Sequence, residues 1–203
     1  MHAASGGSCP ASGGFDDVYL RQTGRERRPD GETAVSGVEI RALRADDAEA
    51  YVRLRREALE LEPLAFAASL EDDRALDSDF VRRALAESLE SVTFGAFRDG
   101  LIGAVGISRD RRHKAAHKTH VWGMYVRPDD RRSGLGESLL LAALDHARKL
   151  PGVLQVHLSV SEGADAARRL YLKHGFRSWG TEPRALSHGG QFVAEHHLVL
   201  LLG

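Results

Sequence analysis

Residues 125–136 read Tyr-Val-Arg-Pro-Asp-Asp-Arg-Arg-Ser-Gly-Leu-Gly and carry the clearest chemistry in the chain. An apolar run that alternates like a strand ends there, a tight polar loop follows, and a helical pattern opens at Gly134 and Gly136. The first turn of a helix leaves its backbone N–H groups without internal partners, and the helix dipole adds partial positive charge at the same end. Gly134 and Gly136 have no side chain to obstruct close approach, and Ser133 and Leu135 contribute further main-chain donors. Such a turn suits a diphosphate. Arg131 and Arg132 add charge at its edge. A plain helix cap that happens to carry glycines is the simpler reading of the loop taken alone. Two nucleotide motifs fail: a dinucleotide fingerprint needs a third glycine where Leu139 stands, and a P-loop needs Gly-Lys-Ser/Thr.

The elements that must position this loop follow from periodicity. Residues 1–36 are rich in Ala, Ser, Gly and charge, with no period that buries a face, and read as a disordered or poorly ordered tail. Residues 37–203 form the single folded domain. Val38 to Arg41 alternates as a strand. Asp46 or Asp47 caps a helix that buries Ala48, Tyr51, Val52, Ala58 and Leu59 and is ended by Pro63. Asp77 or Ser78 caps a second, with Phe80, Val81, Ala84, Leu85 and Leu89 on its apolar stripe. Strands over 92–98 and 101–108 flank the hairpin turn Asp99-Gly100. A strand over 118–126 leads into the loop, and a helix over 134–150 leaves it, stopped by Pro151-Gly152. A strand over 154–160, a helix over 165–174 capped by Gly175, and strands over 176–180 and 192–202 complete the chain. The order β-α-α-β-β-β-α-β-α-β-β predicts a mixed sheet with helices on both faces.

Placed in this order, Arg131-x-x-Gly134-x-Gly136 resembles the pyrophosphate loop of the GNAT superfamily of N-acetyltransferases. Leu158-Ser159-Val160, Ala167, Leu170-Tyr171 and Gly175-Phe176 resemble that family's next strand–helix–strand segment. Leu54-Arg55 through Pro63 and Phe66 upstream, and Gly180 through Gly190 downstream, extend the resemblance over residues 37–202. It implies a GNAT-type α/β fold, a mixed and mostly antiparallel central sheet of about six to seven strands flanked by about four helices. It also implies an acetyl-CoA-dependent N-acetyltransferase acting on a primary amine of a small molecule or peptide, by direct transfer in a ternary complex. Carried over by position, Tyr125 and Val126 would offer backbone groups to the pantetheine arm and the acetyl carbonyl. The amides from Arg131 to Gly136 would hold the pyrophosphate, Ala167 would line the cofactor, and Tyr171 would stand beside the CoA sulfur.

The chemistry fits these parts. An amine attacks a thioester only when neutral, and a lysine-type amine has a pKa of about 10.4. A backbone N–H near Val126 would stabilise the developing oxyanion. The departing thiol has a pKa of about 8.5, and Tyr171 would protonate it as general acid. Tyr171 also has a simpler role as a core residue, spaced with Ala167 and His174 on one helix face.

Two positions depart from the family pattern. The place of its usual cofactor-binding asparagine is Ala164, with Asp165 beside it. The glutamate that many relatives carry on the strand before the loop is missing from 118–126. His120 is the titratable group nearest that place and the candidate general base, with Glu195 a second. These departures leave a non-catalytic acyl-CoA sensor as the alternative. Acceptor contacts are expected from Glu60 to Ser69 and from a loop over 183–191.

Composition narrows the partners. The 203 residues are 42% hydrophobic, enough for one core, and the net charge of -1 supplies no field for nucleic acid or an anionic membrane. Cys9 is the single cysteine, so no intrachain disulfide forms and a reducing compartment is expected. The longest apolar run, Leu198 to Leu202, is strand-sized, and the N-terminal residues lack a secretory pattern, which points to the cytoplasm. His113, His117 and His120, and the adjacent His196 and His197, lack the ligand set of a metal site, so no metal is expected. Arg109 to Lys114 reads as a solvated loop rather than an RNA contact. Pairing of exposed late strands would allow a homodimer.

Overall fold

The computed structural model describes residues 37–87 and 90–203, so the expectations for residues 1–36 and for Leu89 lie outside the described residues. The strands are β1 (Glu39–Ala42), β2 (Ser91–Phe97), β3 (Leu101–Arg109), β4 (Lys118–Val126), β5 (Gln155–Ser161), β6 (Arg177–His188) and β7 (Gln191–Leu201). The helices are α1 (Ala48–Leu61), α2 (Ser78–Glu87), α3 (Leu135–Lys149) and α4 (Asp165–Lys173). Their succession is the one that the periodicities predict. The strands make one sheet in the order β1-β2-β3-β4-β5-β7-β6.

Alternation along the strands, stepped once where β2 and β3 shift register between Ala96 and Phe97, divides the core into two layers. On β3, Ile102, Val105 and Ile107 face one side, where α3 buries Leu135, Leu139, Leu140, Ala143, Leu144 and Ala147. Leu101 and Ala104 face the other, beneath Tyr51, Leu54 and Ala58 of α1 and Val81 of α2. The helix α4 has nine residues, too few to persist by propensity alone. It is held by buried Tyr171, which meets Phe176 edge-on, and by Lys173 and His174, which reach Glu137 of α3 at 2.9 and 3.0 Å.

One junction in the sheet differs from the rest. All neighbouring strands run antiparallel except β4 and β5, which are parallel and pair only at Lys118–Gln155, Thr119–Val156 and His120–His157. Beyond His120 the two strands separate. The cause lies on the β3 side of β4: Ala104 is opposite Tyr125, but Gly106 is opposite Trp122, so β4 carries an extra residue between them. Gly123 takes φ +63° there, a left-handed conformation suited to glycine, and the bulge bends β4 away from β5.

Two local expectations are corrected. Asp47 does not cap α1 through its carboxylate, which turns back to the Arg44 N–H at 2.7 Å and takes two bonds from the Arg41 guanidinium at 2.7 and 2.9 Å. A charge-assisted bidentate pair outcompetes a neutral cap. The expected open loop over 183–191 is a hairpin instead, paired from Leu186–Val193 to His188–Gln191. Gly189 and Gly190 both have positive φ and supply a two-residue turn, and a bulge between Glu182 and Leu186 absorbs Pro183. At the second helix the expected cap holds: the Asp77 carboxylate accepts the N–H groups of Asp79 and Phe80 at 2.9 and 3.1 Å.

Candidate active site

The helix α3 starts on an unusual stretch of main chain. Pro128–Asp130 form one 3-10 turn, Arg132 takes φ +62°, and Gly134, the residue that caps α3, takes φ +86°. A non-glycine residue in the left-handed region costs roughly 1–2 kcal/mol. Among the described residues, the N–H groups of Arg132, Ser133, Gly134, Leu135 and Gly136 have no protein acceptor. Buried Ser138 anchors the helix start, its N–H and hydroxyl both reaching the Gly134 carbonyl, at 3.0 and 3.3 Å. A Cβ placed on Gly136 would meet only Leu170, at 3.7 Å, so the fold itself does not require glycine there.

The two arginines of the loop part company. Arg131 donates its N–H to the Pro128 carbonyl at 3.3 Å and its Nε to the Val126 carbonyl at 3.0 Å, and its guanidinium pairs with Glu62, the residue that caps the end of α1, at 2.9 Å. It braces the loop against α1. The side chain of Arg132 is exposed and makes no hydrogen bond or ion pair among the described residues, which leaves it the free cation at the cradle.

Tyr125 and Val126 also separate by register. The Arg127 N–H donates to the Ile102 carbonyl at 3.0 Å, so strand alternation turns the main chain of Tyr125 to β3 and that of Val126 to the opposite side, where β5 is missing. The Tyr125 phenol bonds Glu57 at 3.1 Å, and burial, reinforced by that carboxylate, pushes it up to about 12. Its side chain is a structural tie.

The gap between β4 and β5 opens into a cleft with two lobes. The inner lobe, about 90 Å³, lies against Met124, Val160, Ala164, Ala167 and Tyr171. The outer lobe, about 600 Å³, is walled by Arg55, His120, His157, Trp179, Glu195 and His197. Both share Phe66, Trp122, Gly123, Leu158 and Ser159. Trp122 lies flat on Gly106, where a Cβ would come within 2.3 Å of the indole. Tyr171 is 5% exposed, and burial pushes its phenol up to about 12. Its hydroxyl has no partner among the described residues.

The outer lobe brings together residues from distant parts of the chain. His120 lies at the paired end of β4, its Nε2 3.8 Å from Asp110 and its ring 5.5 Å from that of His157. Burial raises Glu195 above the ordinary carboxylate range. Arg55 of α1 donates Nε to Asp73 at 2.6 Å and lies over the Phe66 ring, 4.4 Å from its centroid. The Ser159 hydroxyl lies 2.8 Å from His197 Nδ1, and His197 Nε2 lies 3.2 Å from Glu182. Trp179 stacks on the His197 ring at 5.3 Å. Ser159 and Glu182 were not singled out by the sequence as chemical groups. They and His197 stand on three different strands, β5, β6 and β7, and no short motif spans them. Among the described residues there is no group of three or more His, Cys, Asp or Glu arranged to hold a metal.

Comparison with known proteins agrees with this geometry. The family model "Acetyltransferase (GNAT) family" matches residues 50–176. A mycothiol acetyltransferase from Actinosynnema mirum is 31% identical over 145 residues, which are 70% of this chain and 46% of the relative. A second, from Streptosporangium roseum, is 43% identical over 70 residues, 34% of this chain and 20% of the relative. The chain thus spans about half or less of these relatives. The solved acetyltransferase of the GNAT family from Streptococcus pneumoniae aligns with TM-score 0.73 and 26% identity, covering 81% of this chain and 99% of its own. A protein from Salmonella typhimurium, solved with its cofactor acetyl-CoA, shares the fold with TM-score 0.69 at 21% identity, over 82% of this chain and 94% of its own. Parted strands below a helix that begins on free donors are thus found in a chain that belongs to the acetyltransferase (GNAT) family.

Proposed function

We propose that this protein is an acetyl-CoA-dependent N-acetyltransferase, which moves the acetyl group directly to a primary amine of a small molecule or peptide in a ternary complex. The observation that carries this reading is the row of unpaired amides from Arg132 to Gly136 at the head of the gap between β4 and β5. Family membership and the name of the curated relatives support acetyl transfer as the reaction class. The single cysteine fits a cytoplasmic protein, and no described helix is long and apolar enough to cross a membrane.

When bound, acetyl-CoA supplies an acetyl carbon activated as a thioester. The residues then divide the work. The amides of Arg132 to Gly136 and the Arg132 guanidinium hold the pyrophosphate. The N–H of Val126, on the unpaired edge of β4, faces the pantetheine arm and the acetyl carbonyl, where a fixed donor stabilises negative charge on oxygen. Ala164 and Ala167 leave room along the inner lobe. Tyr171, whose phenol keeps its proton to about 12, donates a hydrogen bond to the departing sulfur. Full proton transfer to a thiolate with a parent pKa of about 8.5 would be uphill, so Tyr171 steadies the thiolate. The acceptor amine enters through the outer lobe, between Trp122 and Trp179.

Gly136→Glu tests the cradle. A carboxylate there meets the diphosphate head-on, and like charges in contact cost several kcal/mol. Acetyl-CoA binding by calorimetry should weaken by more than about 100-fold, with the circular dichroism spectrum unchanged. Equal binding by the two proteins would rule out the cradle. If the wild-type protein binds acetyl-CoA tightly but acetylates no amine in a broad panel, it is a sensor of acyl-CoA and not an enzyme.

A further inference from the structure

We propose that Ser159, His197 and Glu182 form a proton relay that deprotonates the acceptor amine, with Ser159 as the residue that touches it. The proposal rests on the acetyltransferase reading above.

Three features carry it. Seven residues line both lobes of the cleft, and Ser159 alone among them carries a hydroxyl, which stands at the seam where an incoming amine would meet the thioester. The spacing of the three groups, 2.8 Å from Ser159 Oγ to His197 Nδ1 and 3.2 Å from His197 Nε2 to Glu182, makes a continuous path. The third feature is the tautomer. A carboxylate can only accept, so the hydrogen on the imidazole must sit on Nε2, and Nδ1 is left bare to accept from the serine hydroxyl. Trp179, stacked on the ring, holds that orientation.

The rival bases are less well placed. His120 stands where β4 and β5 are still paired, and lines the outer lobe alone. Glu195, paired with Ser161 across β5 and β7, also lines only the outer lobe.

The ammonium of the acceptor gives a proton to Ser159 Oγ as the serine's own proton passes to His197 Nδ1. The freed nitrogen lone pair forms the N–C bond, the C–S bond breaks, and its electron pair leaves with the sulfur; the second N–H proton, released as the amide forms, passes through solvent to that thiolate. His197 becomes an imidazolium paired with Glu182 and returns its proton to solvent at the outer lobe. Ser159 is never acylated.

Histidine must be neutral to accept, so the relay fails once the imidazole already carries a second proton. The charged and titratable groups around this path are Glu182 on β6, Glu195 on β7, His157 on β5, His120 on β4 and Arg55 on α1.

The test measures kcat against pH with acetyl-CoA and three probe amines: spermidine, tyramine and a short peptide with a free α-amine. In the wild type, kcat should fall on the acid side, because a protonated imidazole cannot accept. Ser159→Ala and His197→Gln should each lower kcat by about 100-fold, leave the KM for acetyl-CoA unchanged, and abolish that acid limb. Ser159→Thr, which keeps the hydroxyl, should keep the limb. His196→Gln, on the opposite face of the same strand, should match the wild type. The relay is overturned if Ser159→Ala or His197→Gln retains the limb with kcat within about threefold of wild type. Acetyl found on Ser159 by mass spectrometry would overturn it too. Failure of the acetyltransferase reading shows in the wild type, as acetyl-CoA binding without turnover, and takes the relay with it; failure of the relay alone shows only in the variants.

Discussion

At the scale of single residues, Tyr171 is the sharpest case, because its chemistry is set by its surroundings. Desolvation raises the phenol, so at neutral pH it is a hydrogen-bond donor and not a phenolate. Tyr171→Phe removes one oxygen and leaves the packing on Phe176 in place. It should lower kcat by about 10- to 100-fold with little change in the KM for acetyl-CoA, as steady-state kinetics would record. An unchanged kcat would reduce Tyr171 to a core residue. Residues of this kind were legible in the sequence to different degrees. Gly134 and Gly136 announce themselves through spacing along one strand–loop–helix run, and Tyr171 through the family resemblance of the next strand–helix–strand segment. The bracing role of Arg131 was not legible, because its partner Glu62 lies just past the end of α1, far back in the chain. Ser159 and Glu182 gave no signal for the same reason: only the sheet order brings β5, β7 and β6 side by side.

At the scale of elements, α4 shows what a missing side chain costs. Ala164 stands at its N-cap without a hydrogen-bonding side chain, and the first turn of the helix has no side-chain cap. Ala164→Asn should stabilise the protein by roughly 0.5–1 kcal/mol through capping, read as a rise in thermal midpoint. If the asparagine also reaches the bound cofactor, acetyl-CoA affinity should rise in the same variant. Strand β4 was read from the sequence with its final boundaries, since polar Lys118 and Pro128 bracket an unbroken pattern. Its bulge was not, because a left-handed glycine inside a strand looks like any other glycine until the register with β3 is known. β6 was cut short for a related reason. The sequence pattern ends it at Gly180 and gives 183–191 to a loop, and only the opposing ladder of β7 shows that the pairing runs on to Glu182 and resumes at Leu186.

At the scale of the whole molecule, the sheet consists of two blocks, β1 to β4 and β5 to β7, that share three residue pairs between β4 and β5. The helices α3 and α4 join the blocks from one face through the Glu137 contacts and the packing around Tyr171. A ligand lying between β4 and β5 touches both, so its binding energy adds to the cohesion of the fold. Acetyl-CoA at 100 times its Kd should contribute about 2.7 kcal/mol, which corresponds to a rise in the unfolding midpoint of roughly 5–10 °C for a domain of this size. Gly136→Glu should show no such rise in differential scanning fluorimetry.

The bulge at Gly123 has one more implication. A strand advances about 3.3 Å per residue, and with no β5 opposite the last residues of β4, the amide groups of the pantetheine arm would supply the missing rungs. On the proposed reading the polypeptide would measure its co-substrate as a ruler does, with one zero at the Gly134 turn and another at the Tyr171 hydroxyl. Selection for the carrier would thus reside in the length of the arm as well as in its charged end. An acyl thioester on a shorter or longer tether would be grasped at the phosphates yet present its carbonyl out of step with the seam at Ser159.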